Sequence, residues 1–262
     1  MMSDVLVTTH RGAAAILSIN RPQRLNALTP EVFSALQRAL DECEAAPDVR
    51  CVVLTGEGRA FCAGQDLTAE LPRDAEGALD IGGMLDRDYN PLVLRLQSFP
   101  KPTIAAVNGP AVGAGASLAM GCDIIVASRA AYFQQAFVQI GLMPDAGGTW
   151  LLPRIIGLKR ALALMLTGDR LDAAAAEQLG LVYRVFEDAA FMEEASALAE
   201  KLAQGSLSAM KAIKTALVQS ATNDLAGQLH HERNAQAQLG RTADFAEGVM
   251  AFQEKRSPRF HR

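Results

Sequence analysis

The chain has few cysteines, and their spacing supports neither a metal site nor a disulfide framework. Cys43, Cys51, Cys62 and Cys122 form no C-x-x-C pair and have no histidine pair near them. No apolar run reaches the ~18 residues of a membrane-spanning helix, and the first residues lack the basic and apolar segments of a signal peptide. We therefore expect a cytoplasmic protein with reduced thiols, without a bound metal and without membrane contact.

Positive charge is also scarce. The 262 residues include 25 Lys and Arg against 29 Asp and Glu, which gives a formal net charge of −4. A nucleic-acid-binding protein normally carries a basic face, so this balance argues against nucleic acid as a partner. The chain is 50% hydrophobic and 21% charged, a composition typical of a globular domain with a sizeable core.

Runs of strand length alternate with helix-compatible segments along the first two thirds of the chain. Strands are predicted where β-prone or continuous apolar residues end in turn residues, at 5–9, 15–19, 51–55, 103–107 and 123–127. Helices are predicted from periodicity and capping residues, at 30–44, 113–120, 160–167, 173–179, 189–203, 207–219, 224–239 and 243–255. Residues 68–87 mix glycine, proline and charge without a period and predict a loop. The pattern indicates an α/β fold with a helical C-terminal third.

Three glycine-containing motifs follow one another along the chain. They are AFCAGQDL at residues 60–67, NGPAVGAGASLA at 108–119 and GLMPDAGGT at 141–149. Together they resemble the crotonase family, also called the enoyl-CoA hydratase/isomerase superfamily, and the likeness covers the whole chain. The resemblance implies a crotonase spiral of ββα units in residues 1–200 and a helical trimerisation region in residues 201–262. It also implies an acyl-CoA thioester as ligand and assembly as a homotrimer or a dimer of trimers.

The first two motifs suit the stabilisation of negative charge on a thioester oxygen. Removal of a proton beside a thioester carbonyl makes an enolate, and rigid backbone N–H donors aimed at its oxygen lower the barrier. Glycine lets the main chain approach such a ligand closely, although each glycine loop alone is explained equally well as a tight turn. By correspondence with the family, the two donors are the amides of Gln65 and Ala114.

Asp145, in the third motif, allows two interpretations. Its position between Pro144 and small residues suits the N-cap of a helix. In the family's isomerases, however, a carboxylate at this position carries the proton. Burial beside Phe137, Leu142 and Met143 would raise the pKa of such a carboxylate above its ordinary value. The resemblance therefore favours Asp145 as a catalytic acid and base.

The chain departs from the pattern of the family's hydratases at two positions. Hydratases hold a water molecule between two glutamates, and Ser117 and Phe137 occupy the corresponding positions here. The resemblance therefore implies isomerisation of an acyl-CoA thioester, with the closest likeness to isomerases that act on the ring epoxide of phenylacetyl-CoA. Δ3,Δ2-enoyl-CoA isomerisation, another enoyl-CoA hydratase-family reaction of fatty-acid oxidation, a dehalogenase-like reaction and a non-catalytic acyl-CoA-binding protein are alternatives.

Other residues are expected to contact the acyl group or coenzyme A. Tyr89 is a candidate for the acyl pocket, although a lone aromatic residue in a loop often serves packing. Arg24, Lys101 and Lys255 could meet phosphates, with a solvated surface charge as the alternative. Phe252 lies on an apolar helix face that in the family borders a neighbouring subunit's ligand. The remaining contacts implied by the resemblance are Ala27, Ala63, Gly64, Asp66, Leu67, Gly113 and Phe137.

Chemistry based on cysteine or histidine has little support. Cys62 has no histidine beside it, so a buried filler is expected there. The histidines match no catalytic spacing and are expected at the surface or as caps: His10, His230, His231 and His261. We expect no cofactor other than the coenzyme A that belongs to the substrate.

Overall fold

A computed structural model describes residues 4–260 of the chain. Residues 1–3 and 261–262 lie outside the described part of the chain. The expectations for His261 and for the first residues of the N-terminal segment therefore also lie outside the described residues. No helix within residues 4–260 combines the length and the apolar character that crossing a membrane requires.

Two β-sheets organise the described chain. The strands are β1 (Leu6–Arg11), β2 (Ala14–Ile19), β3 (Cys51–Gly56), β4 (Thr103–Val107), β5 (Pro110–Val112), β6 (Ile124–Ser128), β7 (Tyr132–Gln134), β8 (Arg170–Asp172) and β9 (Arg184–Phe186). The six-stranded sheet has the order β1-β2-β3-β4-β6-β9, and its neighbours are parallel except for the β1–β2 hairpin. The three-stranded sheet has the order β5-β7-β8. Parallel neighbours require crossover connections, which the helices supply.

The helices confirm most of the sequence-based predictions, with ends that differ by a residue or two. They are α1 (Pro30–Ala45), α2 (Ile81–Met84), α3 (Asn90–Ser98), α4 (Ala114–Gly121), α5 (Gly148–Ile156), α6 (Leu158–Thr167), α7 (Ala173–Gln178), α8 (Phe191–Ala203), α9 (Leu207–Ser220), α10 (Leu225–Leu239) and α11 (Ala243–Gln253). Short 3-10 helices span Pro22–Arg24 and Ala136–Ile140, and a π-helical turn spans Leu85–Tyr89.

The central strands β2, β3, β4 and β6 of the larger sheet are buried on both faces, as their apolar sequences predict. One face packs against α1, whose buried residues include Phe33 and Leu36, within the main core cluster. The other face packs against α8, where Phe191, Ala195 and Ala199 cover strands β2 to β4 and β6. Residue 200, the boundary drawn between core and helical region, lies within α8. The two-region division stays a prediction.

The prediction of a loop over residues 68–87 is wrong in its last third. Helix α2 begins at Ile81, capped by the carboxylate of Asp80, and the π-helical turn joins it to α3. Pro91 lies in the first turn of α3, where it has no N–H to donate. The N–H of Asn90 instead bonds the carbonyl of Leu85, five residues earlier. The sequence does not predict this helix because the adjacent Gly82 and Gly83 have low helix propensity.

Lys101 neither is placed to meet a phosphate nor is a solvated surface charge, the two roles expected of it. Its side chain is buried, and its Nζ donates to the carbonyl oxygens of Cys43 at 2.6 Å and Ala46 at 2.7 Å. These carbonyls lie at the C-terminal end of helix α1. A cation there pairs with acceptors that have no partner within the helix and interacts favourably with the negative end of the helix dipole. Lys101 therefore closes a helix and is available to no phosphate.

Candidate active site

The three glycine-containing motifs meet at a cleft of about 500 Å³. The motifs contribute Ala63, Gly64, Gln65, Leu67, Val112, Gly113, Ala114, Leu142 and Asp145 to its lining. The remaining walls come from the segment after the first motif and from the second 3-10 helix, through Leu71, Leu79, Ile81, Met84, Leu85, Tyr89, Ala136, Phe137, Gln139 and Ile140. Residues 71–85 contribute five of these apolar residues, which the prediction of a loop over residues 68–87 does not anticipate.

The first two motifs are joined backbone to backbone, and glycine is required where they touch. Gly64 has φ +85°, and a Cβ atom there would lie 2.9 Å from the carbonyl oxygen of Val112 and 3.4 Å from the amide nitrogen of Ala114. A Cβ atom at Gly115 would lie 2.2 Å from the carbonyl oxygen of Cys62. The close approach that glycine permits is therefore used between the two loops themselves.

The amides of Gln65 and Ala114 have no acceptor among the described residues. Leu28 forms a parallel bridge to the first motif, accepting from the Asp66 N–H at 3.0 Å and donating to the Gly64 carbonyl at 2.7 Å. This bridge leaves the intervening Gln65 N–H directed away from Leu28. Ala114 begins helix α4, where the first N–H groups have no partner within the helix and the dipole favours negative charge. Two unpaired donors thus border one cleft.

Asp145 lines the same cleft, and it does not cap a helix. The N-cap of α5 is Gly147, so the capping interpretation is wrong. The Oδ1 atom of Asp145 is buried without a hydrogen-bond partner among the described residues. Burial raises the pKa of the carboxyl group from 3.8 to about 6, because the ionised form loses solvation. Of the apolar neighbours expected beside it, Phe137 lines the cleft, whereas Met143 is 69% exposed.

The turn that carries Asp145 is held by its backbone. The carbonyl oxygen of Asp145 accepts hydrogen bonds from Ser117 Oγ at 3.1 Å and from the Gly148 amide at 2.8 Å. Ala146 has φ +47° and Gly147 has φ +80°, so the chain passes through left-handed backbone directly after Asp145. Among the described residues that line the cleft, Asp145 carries the one carboxylate.

Tyr89 both packs and lines the cleft. Its ring centroid lies 4.4 Å from that of Phe33, and only 4% of the residue is exposed. Its hydroxyl donates to Oε1 of Gln65. Burial raises the pKa of this hydroxyl, and the nearby charge of Asp145 adds to the effect. Tyr89 is therefore part of the site wall, and its hydroxyl is hydrogen-bonded to the first motif.

Comparison with known proteins decides the family. The family profile described as enoyl-CoA hydratase/isomerase matches residues 9–262. The chain belongs to the enoyl-CoA hydratase/isomerase family. It is 45% identical over 260 residues to the 1,2-epoxyphenylacetyl-CoA isomerase of Escherichia coli K12, covering 99% of each chain. It is 38% identical over 260 residues to the 2,3-dehydroadipyl-CoA hydratase of the same organism, again covering 99% of each.

The solved structures confirm the crotonase fold expected from the motifs. An enoyl-CoA hydratase from Bacillus anthracis superimposes with a TM-score of 0.92 at 32% identity, covering 98% of this chain and 99% of the other. The chain is therefore an enzyme of the enoyl-CoA hydratase/isomerase family. Because its relatives carry both isomerase and hydratase names, the reaction type has to be argued from the residues of the cleft.

Two residues that the family resemblance assigned to the ligand do not line the cleft of this family member. The carboxylate of Asp66 is held by Thr68, through N at 3.0 Å and Oγ1 at 2.6 Å, and by Arg21 at 2.8 Å. These hydrogen bonds, first from Thr68 and then from Arg21, lower the pKa of Asp66 to about 2. Ala27 is buried, and its carbonyl accepts from Arg21 at 2.6 Å. Arg21 thus holds the first motif in place through Asp66 and Ala27, and the sequence analysis did not identify it.

Three further candidates also lie apart from the cleft lining. Arg24 is exposed at the end of the first 3-10 helix. Phe252 is 85% exposed on α11, and Lys255 follows that helix with φ +53°. Their contacts with coenzyme A, whether in this chain or in a neighbouring subunit, stay predictions.

The structure confirms the expectation for Cys62 and for two of the histidines. Cys62 is completely buried, and burial raises the pKa of its thiol to about 12, which suits a filler. His10 and His230 are exposed as expected. His231 is half-buried, with an Nε2 atom that has no partner among the described residues. Residues 4–260 contain no group of three or more side chains suited to hold a metal ion; the expectation that no cofactor is needed stays a prediction.

Proposed function

We propose that this enzyme isomerises an acyl-CoA thioester by moving a proton between carbon atoms through an enolate. The observation that carries the proposal is Asp145: a half-buried carboxylate whose Oδ1 atom is buried and unpaired and whose pKa is raised to about 6, in a cleft that also presents two unpaired amides. A base of this pKa is largely ionised at neutral pH and still returns its proton readily.

The reaction follows from the arrangement of these groups. The thioester oxygen accepts hydrogen bonds from the amides of Gln65 and Ala114, and the carboxylate of Asp145 removes the proton from the α-carbon. The electron pair of the C–H bond moves onto the carbonyl oxygen, where the two donors stabilise the charge. The protonated Asp145 then returns the same proton to the γ-carbon as the electrons come back. The double bond moves into conjugation with the thioester, and no atom is gained or lost.

The absence of a second carboxylate in the described lining favours isomerisation over hydration. A hydration needs a base to activate water and an acid to protonate carbon, and two carboxylates divide those tasks in the family's hydratases. Here Phe137 offers an apolar ring at one of the two positions, and Ser117 is fully buried at the other with its hydroxyl on a carbonyl. A single carboxylate that gives back the proton it took suits an isomerase.

For the acyl group, we propose the 1,2-epoxide of phenylacetyl-CoA, with the seven-membered oxepin thioester as product. Support comes from the 45% identity to an isomerase named for that substrate and from a largely apolar cleft wall. Opening of the carbon–carbon bond shared by the ring and the epoxide gives the oxepin, and the same α-to-γ proton shift conjugates it. Δ3,Δ2-enoyl-CoA isomerisation is the second candidate, because it needs the same base and the same two amides.

A substrate panel tests this proposal. Purified protein is offered 3-enoyl-CoA, enzymatically generated ring-epoxide thioester and 2-enoyl-CoA, and the products are identified by mass and absorbance. We expect isomerisation of the epoxide at the highest kcat/KM, slower isomerisation of 3-enoyl-CoA and hydration at least 100-fold weaker, about the factor that positioned acid–base catalysis contributes. A dominant hydration product contradicts the proposal, and failure of every thioester to bind contradicts any acyl-CoA activity.

We further propose that the enzyme is a homotrimer or a dimer of trimers, with Phe252 and Lys255 close to a neighbouring subunit's ligand. No residue of the described helices α9 and α10 is buried within the chain, and large apolar side chains such as Leu217 and Leu225 are exposed there. Exposed apolar surface of this kind favours association. Light scattering during gel filtration should give a mass that is a multiple of three chains; a monomer contradicts this part of the proposal.

A further inference from the structure

Two polar side chains meet in the otherwise largely apolar wall of the cleft. The hydroxyl of Tyr89 donates to Oε1 of Gln65, and both residues line the cleft. The other polar side chains of its described lining are Asp145 and Gln139. The amide of Gln139 donates to the carbonyl of Gly168 at 3.1 Å. Tyr89 and Gln65 are thus the polar pair that the proposed proton transfer leaves unused.

The position of the Tyr89 hydroxyl is fixed by the local fold. Tyr89 ends the π-helical turn that precedes Pro91, and single π-helical turns inside helices frequently accompany functional sites. Its ring is wedged against Phe33 with an interplanar angle of 58°. A rigid aromatic ring that carries a hydroxyl into a cleft loses little conformational freedom when it binds a ligand. The hydroxyl is therefore pre-positioned.

The pair retains hydrogen-bonding capacity beyond the bond it makes. The Gln65 side-chain amide has two N–H donors, and one acceptor is available to it in the described chain, the Asp66 carbonyl at 3.3 Å. The Tyr89 hydroxyl can accept as well as donate, so it can take a hydrogen bond from a ligand hydroxyl while it still donates to Gln65. A hydrocarbon acyl chain can form no hydrogen bond with Tyr89 or Gln65. An oxygen on the acyl group can form one while the bond between Tyr89 and Gln65 is kept.

We propose that the Tyr89–Gln65 pair binds an oxygen atom carried by the acyl group, and so makes the cleft selective for acyl thioesters whose ring carries oxygen over hydrocarbon ones. The inference rests on the proposed function, because it takes the acyl group to enter this cleft. A site that hydrogen-bonds a substrate oxygen discriminates against the analogue without it, since the buried polar groups then lose a partner. Tyr89 and Gln65 determine specificity in this scheme and carry no proton.

Binding of two unreactive thioesters tests the pair separately from catalysis. Phenylacetyl-CoA and 2-hydroxyphenylacetyl-CoA differ by one ring oxygen, and their Kd values are measured by titration calorimetry. The wild-type protein should bind the hydroxylated thioester about five- to tenfold more tightly, the range expected of one neutral hydrogen bond. In Tyr89→Phe, which keeps the ring against Phe33, and in Gln65→Met, which keeps the backbone N–H, this preference should fall to about twofold or less.

Tyr183→Phe is the matched control, because Tyr183 is 61% exposed and does not line the cleft. It should retain the full preference. In turnover, Tyr89→Phe should lower kcat/KM for the ring epoxide more than for 3-enoyl-CoA. An unchanged preference in both cleft variants, or equal losses on both substrates, overturns the inference and leaves the pair a support for the first motif. Failure of the wild-type protein to bind either thioester removes the proposed function itself.

Discussion

The hydroxyl of Ser117 donates a hydrogen bond to the backbone carbonyl oxygen of Asp145 at 3.1 Å. Ser117 lies one turn after Ala114 on helix α4, so this bond joins the helix that supplies one unpaired amide to the turn that supplies the carboxylate. The residue that stands where a hydratase would have a glutamate thus fixes the distance between the proposed base and one oxyanion donor. Ser117 is a positioning residue in this account.

Ser117→Ala should lower kcat about tenfold and leave KM nearly unchanged. The Gly148 amide still donates to the Asp145 carbonyl, so the turn is loosened without being lost. Loss of one neutral hydrogen bond should also lower the free energy of unfolding by about 1 kcal/mol. Steady-state kinetics and urea unfolding measure the two effects.

Ser196→Ala is a matched control for that change. Ser196 is likewise buried in a helix, and its hydroxyl donates to the carbonyl of Met192 at 2.7 Å, away from the cleft lining. It should lose similar stability and keep kcat. If both variants lose the same stability and neither loses activity, Ser117 has only a structural role.

The pH dependence of turnover should report the environment of Asp145. Because burial raises the pKa of this carboxyl group to about 6, kcat/KM should rise from low pH and level off above that value. The pH profile is measured with 3-enoyl-CoA, whose chemistry requires no other ionisable group of the lining. An inflection near the ordinary pKa of an aspartate, or none at all, means that Asp145 is not the base.

Asp145→Asn should stabilise the protein at neutral pH. The carboxyl group ionises near 3.8 in an unfolded chain and at about 6 in the folded protein, so ionisation at pH 7 and above opposes folding. Replacement by a neutral side chain should raise the free energy of unfolding by about 1 to 2 kcal/mol at pH 8, because solvent screens part of the cost of this half-buried charge. The gain should shrink as the pH falls through 6 and vanish near 4. Thermal unfolding across this range measures it.

Asp66→Asn is the control, because it should change the free energy of unfolding in the opposite direction. The pKa of Asp66 is lowered by Thr68 and Arg21, so its ionised form stabilises the fold at neutral pH and its replacement should destabilise. That loss should diminish only as the pH falls toward 2. The same direction of change in both variants would show that burial does not govern the pKa of Asp145.

Gly64→Ala should damage both folding and activity. An alanine there meets the carbonyl oxygen of Val112 and adopts φ +85°, so the first two motifs must separate. We expect a stability loss of at least about 2 kcal/mol, from strain and steric contact together, with a large fall in kcat. Gly180→Ala is the control, because Gly180 has φ +81° with open space around it. It should lose only about 1 kcal/mol and keep activity.

Much of the fold could be predicted from the sequence because its elements carry strong local signals. The continuous apolar run at β4 gives its bounds directly, and the Thr29–Pro30 start places α1. The three-stranded sheet was not predicted because β5, β7 and β8 have three residues each, too few to show an alternation of apolar and polar residues. Their pairing depends on contacts between distant parts of the chain.

The site was predicted unevenly for a similar reason. The family resemblance carried by the three motifs assigns Gln65, Ala114 and Asp145, whereas the glycines alone indicate only where the backbone can approach closely. The part of the cleft wall from Leu71 to Leu85 was not predictable, since its residues line the cleft from a segment whose composition is that of a loop. Asp145 also shows how local context misleads: an aspartate before a glycine pair suggests a cap, and the helix begins after it.

The most direct test of the account is the rate of isomerisation of 3-enoyl-CoA by Asp145→Asn, measured together with the Kd of a thioester. If Asp145 carries the proton while the amides of Gln65 and Ala114 hold the enolate, kcat should fall about 10³-fold and Kd should change by less than about threefold. The variant should be folded and, at neutral pH, more stable than the wild type, so the loss would be chemical. A kcat within tenfold of the wild-type value would contradict the mechanism.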